Sequence, residues 1–201
     1  FESGLVFSQA DINGSVEQVA KLGGVIAGTR EVESWTHSGD KVDFYDIKGD
    51  LEALLTMGGE LACYQFKPLD SHKSALHPGQ SAQIIYDGRA VGVLGALHPS
   101  IESVLSLNGP VFLFELELAA IQRSRVAKFK ELSKFPEVRR DLAIIVDESV
   151  PLSEIDRAIR TDAGEYLTDL KLFDLYQGKG IDPGRKSFAL GLTWQHRSRT
   201  L

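Results

Sequence analysis

Apolar residues recur in short alternating runs along this chain, separated by turns rich in glycine, proline and aspartate. Residues 15–24 carry Val16, Val19, Ala20 and Leu22 before Gly23-Gly24, which predicts a short amphipathic helix closed by glycine. Residues 25–29 are apolar and predict a strand. Residues 42–46 alternate, and Leu51-Glu52-Ala53-Leu54-Leu55 then takes helical spacing, with Asp50 as the expected cap and Gly58-Gly59 as the stop. Residues 63–68 predict a strand. Residues 81–86 and 90–97 form a hairpin about Asp87-Gly88, because glycine tolerates positive φ there. Residues 111–118 alternate as a further strand.

The pattern changes at residues 119–135, where polar and basic positions replace the alternation. The expected boundaries are a first domain over 1–121, a linker over 122–133 and a second domain over 134–201. Phe135-Pro136 opens the second unit. Residues 141–147 predict a strand, 150–154 the start of a helix that runs to about 162 and is ended by Ala163-Gly164, 167–176 a strand, 177–185 a glycine-rich loop and 186–196 a strand. The fold class is therefore α+β: an antiparallel sheet with flanking helices, then a β-α-β-β unit. That order is the first part of a ferredoxin-like β-α-β-β-α-β arrangement, whose last helix and strand are expected beyond Leu201.

Composition is that of a globular protein, with 43% hydrophobic and 25% charged residues. No apolar run reaches the roughly 18 residues that span a membrane, and no signal peptide opens the chain. It begins at Phe1-Glu2 without methionine and stops at Arg199-Thr200-Leu201, which reads as a segment of something longer. The sole cysteine, Cys63, lies in an apolar stretch and is expected to be a buried structural thiol. A single cysteine is in keeping with a reducing cytoplasm. Charge is uneven. Residues 1–120 hold 7 Lys and Arg against 16 Asp and Glu, whereas residues 121–201 hold 15 against 12. The acidic front repels phosphate and the mildly basic back tolerates it.

Catalytic constellations are missing from the sequence. His37, His72, His77, His98 and His196 are scattered, with no partner at metal-ligand spacing. His77-Pro78 and His98-Pro99 suit turn caps. Asp43, Asp46 and Asp50 lack the glycine and terminal glutamate of a calcium loop and suit a capped helix. Gly92 and Gly95 sit inside a strand, with no Lys-Ser/Thr after them, and suit close packing rather than a phosphate loop.

The second unit offers a surface instead. Phe188, Leu190, Leu192, Trp194 and His196 alternate with Ser187, Ala189, Gly191, Thr193 and Gln195. The bulky set belongs under helices and the small polar set on an open face. In the preceding strand, Leu170, Leu172, Asp174 and Tyr176 alternate with Lys171, Phe173 and Leu175. Phe173 and Leu175 are assigned to the core, and Asp174 and Tyr176 to the open face beside Ser187. Such a face can stack and hydrogen-bond unpaired bases. It can also be a plain solvated face.

Leu76-His77-Pro78-Gly79-Gln80-Ser81-Ala82, the run from Gly92 through His98-Pro99, and the run from Val42 through Asp50 resemble the β subunit of bacterial phenylalanyl-tRNA synthetases. In the second unit, Phe135-Pro136, Arg139-Arg140-Asp141, Leu172-Phe173-Asp174-Leu175-Tyr176, Lys186-Ser187 and Arg199-Thr200-Leu201 resemble that family's ferredoxin-fold anticodon-binding domain. The resemblance implies an inactive domain related to class II synthetase cores, followed by a tRNA-binding unit. It implies catalysis in a separate α subunit, an (αβ)₂ heterotetramer, and ATP and Mg²⁺ used by the holoenzyme but not held by this segment. By matching positions, the tRNA contacts fall at Asp174, Tyr176 and Ser187. Arg139, Arg140 and Arg197 are added on electrostatic grounds. The family's earlier β-subunit domains, including an editing domain, have no counterpart in this sequence. The rival expectation is a module that contacts protein alone.

Overall fold

The computed structural model describes residues 1–9, 16–32, 34–37, 39–58, 61–69, 75–122, 129 and 131–200. The chain divides into two compact units, Phe1–Lys128 and Phe129–Leu201. Most of the expected linker over 122–133 lies outside the described residues.

In the first unit, strands β1 (Glu2–Gln9) and β2 (Val16–Ala27) form an antiparallel hairpin. Helix α1 (Phe44–Met57) follows, then β3 (Tyr64–Pro68), β4 (Leu76–Tyr86), β5 (Arg89–Leu97), α2 (Pro99–Val104), β6 (Val111–Glu117) and α3 (Leu118–Ile121). The strands make one sheet in the order β1-β2-β6-β5-β4-β3, antiparallel throughout.

Two expected elements are corrected in this unit. Residues 16–24 are strand, not helix. A helix of so few residues has little stability of its own, whereas here β1 and β6 both supply ladder partners. Gly24 belongs to that arrangement, since the Phe114 ring lies where its Cβ would stand. Secondly, α1 starts at Phe44, one turn and a half before the expected cap at Asp50. Asp43 is the N-cap: its Oδ1 accepts from the amides of Tyr45 at 2.7 Å and Asp46 at 3.1 Å, while Asp46 Oδ2 accepts from the Asp43 amide at 2.7 Å. This reciprocal box satisfies amides that the first turn would leave orphaned. The helix then runs through Gly49, and Ile47, Leu51 and Leu55 fall on one buried stripe.

That stripe packs on Ile84, Leu94, Phe112 and Leu116 of the sheet. The glycines of β5 pack as expected. A Cβ on Gly92 would stand 2.4 Å from the Glu115 carbonyl, and one on Gly95 would stand 2.6 Å from that of Gln80. Asp87 and Gly88 both take positive φ, at 50° and 77°, and close the β4–β5 hairpin. His98 caps α2 by accepting from the Ser100 amide, and His77 Nδ1 accepts from the Gly79 amide. Cys63 is exposed rather than buried, because residues 61–63 form a short 3₁₀ turn ahead of β3.

The second unit comprises β7 (Val138–Asp147), α4 (Leu152–Asp162), β8 (Leu167–Tyr176) and β9 (Arg185–Trp194). Its sheet has the order β7-β9-β8, with both pairings antiparallel. Ile155 of α4 meets Phe188, Leu190 and Leu192 of β9, with Leu170, Leu172 and Trp194 packed around them. The Trp194 indole donates to the Ala163 carbonyl at 3.1 Å and ties the strand end to the helix end. The whole is α+β, built on antiparallel sheets, and its second unit has the expected order β-α-β-β.

Candidate nucleic-acid interface

Central strand β9 sorts its side chains as the alternation requires. Phe188, Leu190 and Leu192 are buried under α4, while Ser187, Ala189 and Thr193 are half-buried on the opposite, uncovered face. Residues opposite one another in an antiparallel pair share a face. The register therefore places four rows across the uncovered side: Ile145, Ser187 and Tyr176; Ala143, Ala189 and Asp174; Asp141, Gly191 and Lys171; Arg139, Thr193 and Asp169.

A β-bulge makes this possible. Leu172 pairs with Leu190 but Asp174 pairs with Ala189, so one extra residue, Phe173, is inserted between them. Upstream of it, Leu170 and Leu172 turn to the core. Downstream, Asp174 and Tyr176 turn to the open face. Strict alternation is thus broken, and Leu170 and Leu172 do not share a face with Asp174 and Tyr176. The assignment of Phe173 and Leu175 to the core is also corrected. Phe173 stands in the bulge at 50% exposure, and Leu175, though paired with Phe188, is 49% exposed because α4 does not reach it.

Tyr176 is 46% exposed, and its hydroxyl donates to the Lys179 carbonyl at 3.0 Å. Its ring lies against Gly178, whose φ of +156° and missing side chain leave the room: a Cβ there would stand 3.0 Å from the phenol oxygen. The glycine-rich loop after β8 therefore holds the ring in place. Ser187 is its neighbour on β9 and Asp174 stands one row away. A fixed ring with a hydroxyl and a carboxylate beside it offers one surface for stacking and two groups for base edges.

The arginines do not gather around this trio. Arg139 shares the open face but stands at the other end of the sheet, where its Nε donates to Asp141 Oδ1 at 3.2 Å. Arg140 pairs with Leu192 and so points to the opposite face. Arg197 lies beyond the end of β9, in a tail anchored where the Gln195 amide donates to the Tyr166 carbonyl and the His196 ring packs at a tilt against Tyr166, centroids 4.7 Å apart. In the same corner the Tyr166 phenol is pushed above its ordinary value, first by its hydrogen bond to Glu165 and then by that carboxylate's charge, with Arg199 opposing. Sequence reasoning missed Ile145, Asp141 and Lys171 as members of the open face. For Ile145 and Asp141 the signal was present in the alternation of β7, but only its register with β9 says which parity faces out; for Lys171 the bulge at Phe173 broke the alternation of β8.

The first unit contributes a shallow cleft of about 440 Å³ beside Val25, Ala27, Arg30, Asp46 and Asp50. Of its acids, Asp46 is already engaged. The Arg30 guanidinium reaches Asp46 at 2.7 Å and Asp43 at 3.3 Å. Asp46 is held below the usual carboxylate range by Arg30 and by the Asp43 amide, and Arg30 is raised in return. Among the described residues, no three His, Cys, Asp or Glu side chains converge as a metal would require.

Comparison with known proteins gives two family matches. Residues 1–118 match the phenylalanyl-tRNA synthetase beta chain CLM domain, and residues 133–201 match the ferredoxin-fold anticodon binding domain. Over its full length the chain is 54% identical to the phenylalanine–tRNA ligase beta subunit of Pseudomonas syringae pv. tomato, 48% to that of Coxiella burnetii and 45% to that of Hahella chejuensis. It spans 25% of the length of each of these curated relatives.

Proposed function

The chain belongs to the phenylalanyl-tRNA synthetase β-chain family, and on that premise we propose that it is a non-catalytic segment of a phenylalanine–tRNA ligase, holding the catalytic α subunit with its first unit and gripping the anticodon region of tRNA with its second. The observation that carries the tRNA part is the bulge at Phe173. It delivers Asp174 and Tyr176 to the same uncovered face as Ser187. A half-exposed ring fixed by its own loop is pre-organised, so little freedom is lost when a base stacks on it.

The scaffolding part rests on the β1–β2 hairpin. β6 pairs with β2 only over residues 21–27, so the hairpin's far end extends past its neighbour. Leu5, Phe7 and Val16 share one face there by register, and they are 57%, 61% and 63% exposed. A clustered apolar stripe of this kind marks a protein contact. In this reading the α subunit carries the chemistry on ATP and Mg²⁺ within an (αβ)₂ assembly in the cytoplasm. No step through either group is assigned to residues of this chain.

The test uses the complete ligase. Tyr176→Ala is expected to weaken tRNA binding roughly 5- to 150-fold, the range for losing one stacked base, while phenylalanine-dependent ATP–pyrophosphate exchange stays at its normal rate. Unchanged tRNA affinity in Tyr176→Ala and in Asp174→Ala would leave the rival reading, a face that contacts protein alone.

A further inference from the structure

Arg139 is held in an arrangement that charge alone does not call for. Three atoms of its guanidinium, Nη2, Nε and Cζ, lie 3.1, 3.4 and 3.5 Å from the point where a Cβ on residue 191 would stand. These atoms belong to the Nη2–Nε side of the guanidinium, so the charged group, not the aliphatic stem, covers the glycine. Residue 191 is a buried glycine on the central strand, and any side chain there would occupy that space. Asp141 accepts from Nε at 3.2 Å and steadies the group from the same strand. The group is open to solvent, since the side chain is 60% exposed.

The charges around it decide which part of a nucleic acid it meets. The open face carries Arg139 and Lys171 against Asp141, Asp169 and Asp174. A surface with more carboxylates than cations repels phosphates. Bases have no such charge, and their amino and imino groups donate to carboxylates. Guanidinium planes stack on bases as aromatic rings do. We propose that Arg139, whose guanidinium covers Gly191 and is open to solvent, is a second stacking platform for an unpaired nucleobase of RNA. Its guanidinium stands about 14 Å along the strands from the Tyr176 row, four residue steps from Ser187 to Gly191 at about 3.4 Å each. The inference rests on the reading of this face as an RNA-binding surface and extends it to a second subsite.

The test uses the whole ligase and, as probe, the anticodon stem-loop RNA with 2-aminopurine placed at each loop position in turn. Arg139→Lys keeps the charge and loses the plane. It is expected to weaken binding about 5-fold or more, as Arg139→Ala does. It should abolish the fluorescence change at one loop position that Tyr176→Ala leaves intact, and leave the salt dependence of binding unaltered. Gly191→Ala, which displaces the guanidinium, is expected to reproduce the loss at that position. Arg139→Lys binding as tightly as the parent, or Arg139→Ala lowering the salt slope by about one with every 2-aminopurine signal unchanged, would make Arg139 a phosphate contact and overturn the platform. If Tyr176→Ala weakens binding while the Arg139 variants do not, only the second subsite falls. If Tyr176→Ala is equally silent, the RNA-binding reading of the face falls with it.

Discussion

In the first unit a 14-residue helix lies on a six-stranded sheet, and twelve described residues are buried around it. In the second an 11-residue helix lies on three strands, and four described hydrophobic residues form the buried cluster. The same principle operates in both: an apolar helix stripe on one sheet face. The difference is coverage. Helix α4 reaches the middle of β9 but leaves Leu142 at 42% and Leu175 at 49% exposure on the face it occupies. Apolar area removed from water is the main favourable term in folding, so the second unit has less to set against chain entropy. The comparison shows a unit whose stability is concentrated in a few side chains, beside one in which it is distributed.

The sharpest way to break the comparison is a pair of matched truncations. Leu94 and Leu190 are both fully buried, one in each unit. Each leucine-to-alanine change costs about 2–5 kcal/mol. Leu190→Ala is expected to unfold the second unit, read by the emission of Trp194, which is packed in its core, whereas Trp35 is already 97% exposed. Leu94→Ala is expected to lower the unfolding midpoint of the first unit and leave it folded. Hydrogen exchange on the parent chain should likewise show weaker protection in β7–β9 than in β4–β6. Equal protection in the two sheets would contradict the argument.

Glycine substitutions give a smaller contrast. Gly92→Ala drives a methyl group against the backbone carbonyl of Glu115, which cannot rotate away. A cost of about 1–3 kcal/mol in the first unit is expected by denaturant unfolding. Gly191→Ala meets the end of the Arg139 side chain rather than backbone, so its effect on stability should be the lesser of the two. Comparable losses would show that the guanidinium is fixed more firmly than its exposure suggests.

The smallest expected effect is at the start of α1. Asp43→Ala removes the cap and should cost about 1 kcal/mol. Asp46 is held below its ordinary value by Arg30 and the Asp43 amide. A carboxylate depressed on folding contributes stability above its unfolded value of about 3.9. That contribution is lost as the pH falls through the folded value. An acid titration of the first unit should therefore lose stability below about pH 4, and Asp46→Asn should flatten that limb. An unchanged limb in the variant would assign acid sensitivity to other groups.

Most strands were legible because alternation and turn residues agree with one another. Residues 167–176 match β8 at both ends, and Asp87-Gly88 closes the hairpin it announces. Where two periods fit the same residues, reasoning failed. Residues 16–24 satisfy a short helix or a strand, and only the flanking strands β1 and β6 choose between them. The helix was expected to begin at its cap Asp50, yet the capping box at Asp43 and the stripe Ile47–Leu51–Leu55 carry it through Gly49 despite the cost of glycine inside a helix.

Side-chain chemistry in the chain settled the α+β class, the buried set Phe188, Leu190 and Leu192, and the kinship of both units, because these depend on local order and on period. Tertiary structure decided which residues share the open face. One inserted residue at 173 reverses every side chain after it, and β7 brings Arg139 and Arg140 to opposite sides. Register is a relation between strands, created when they pair, and no single strand carries it.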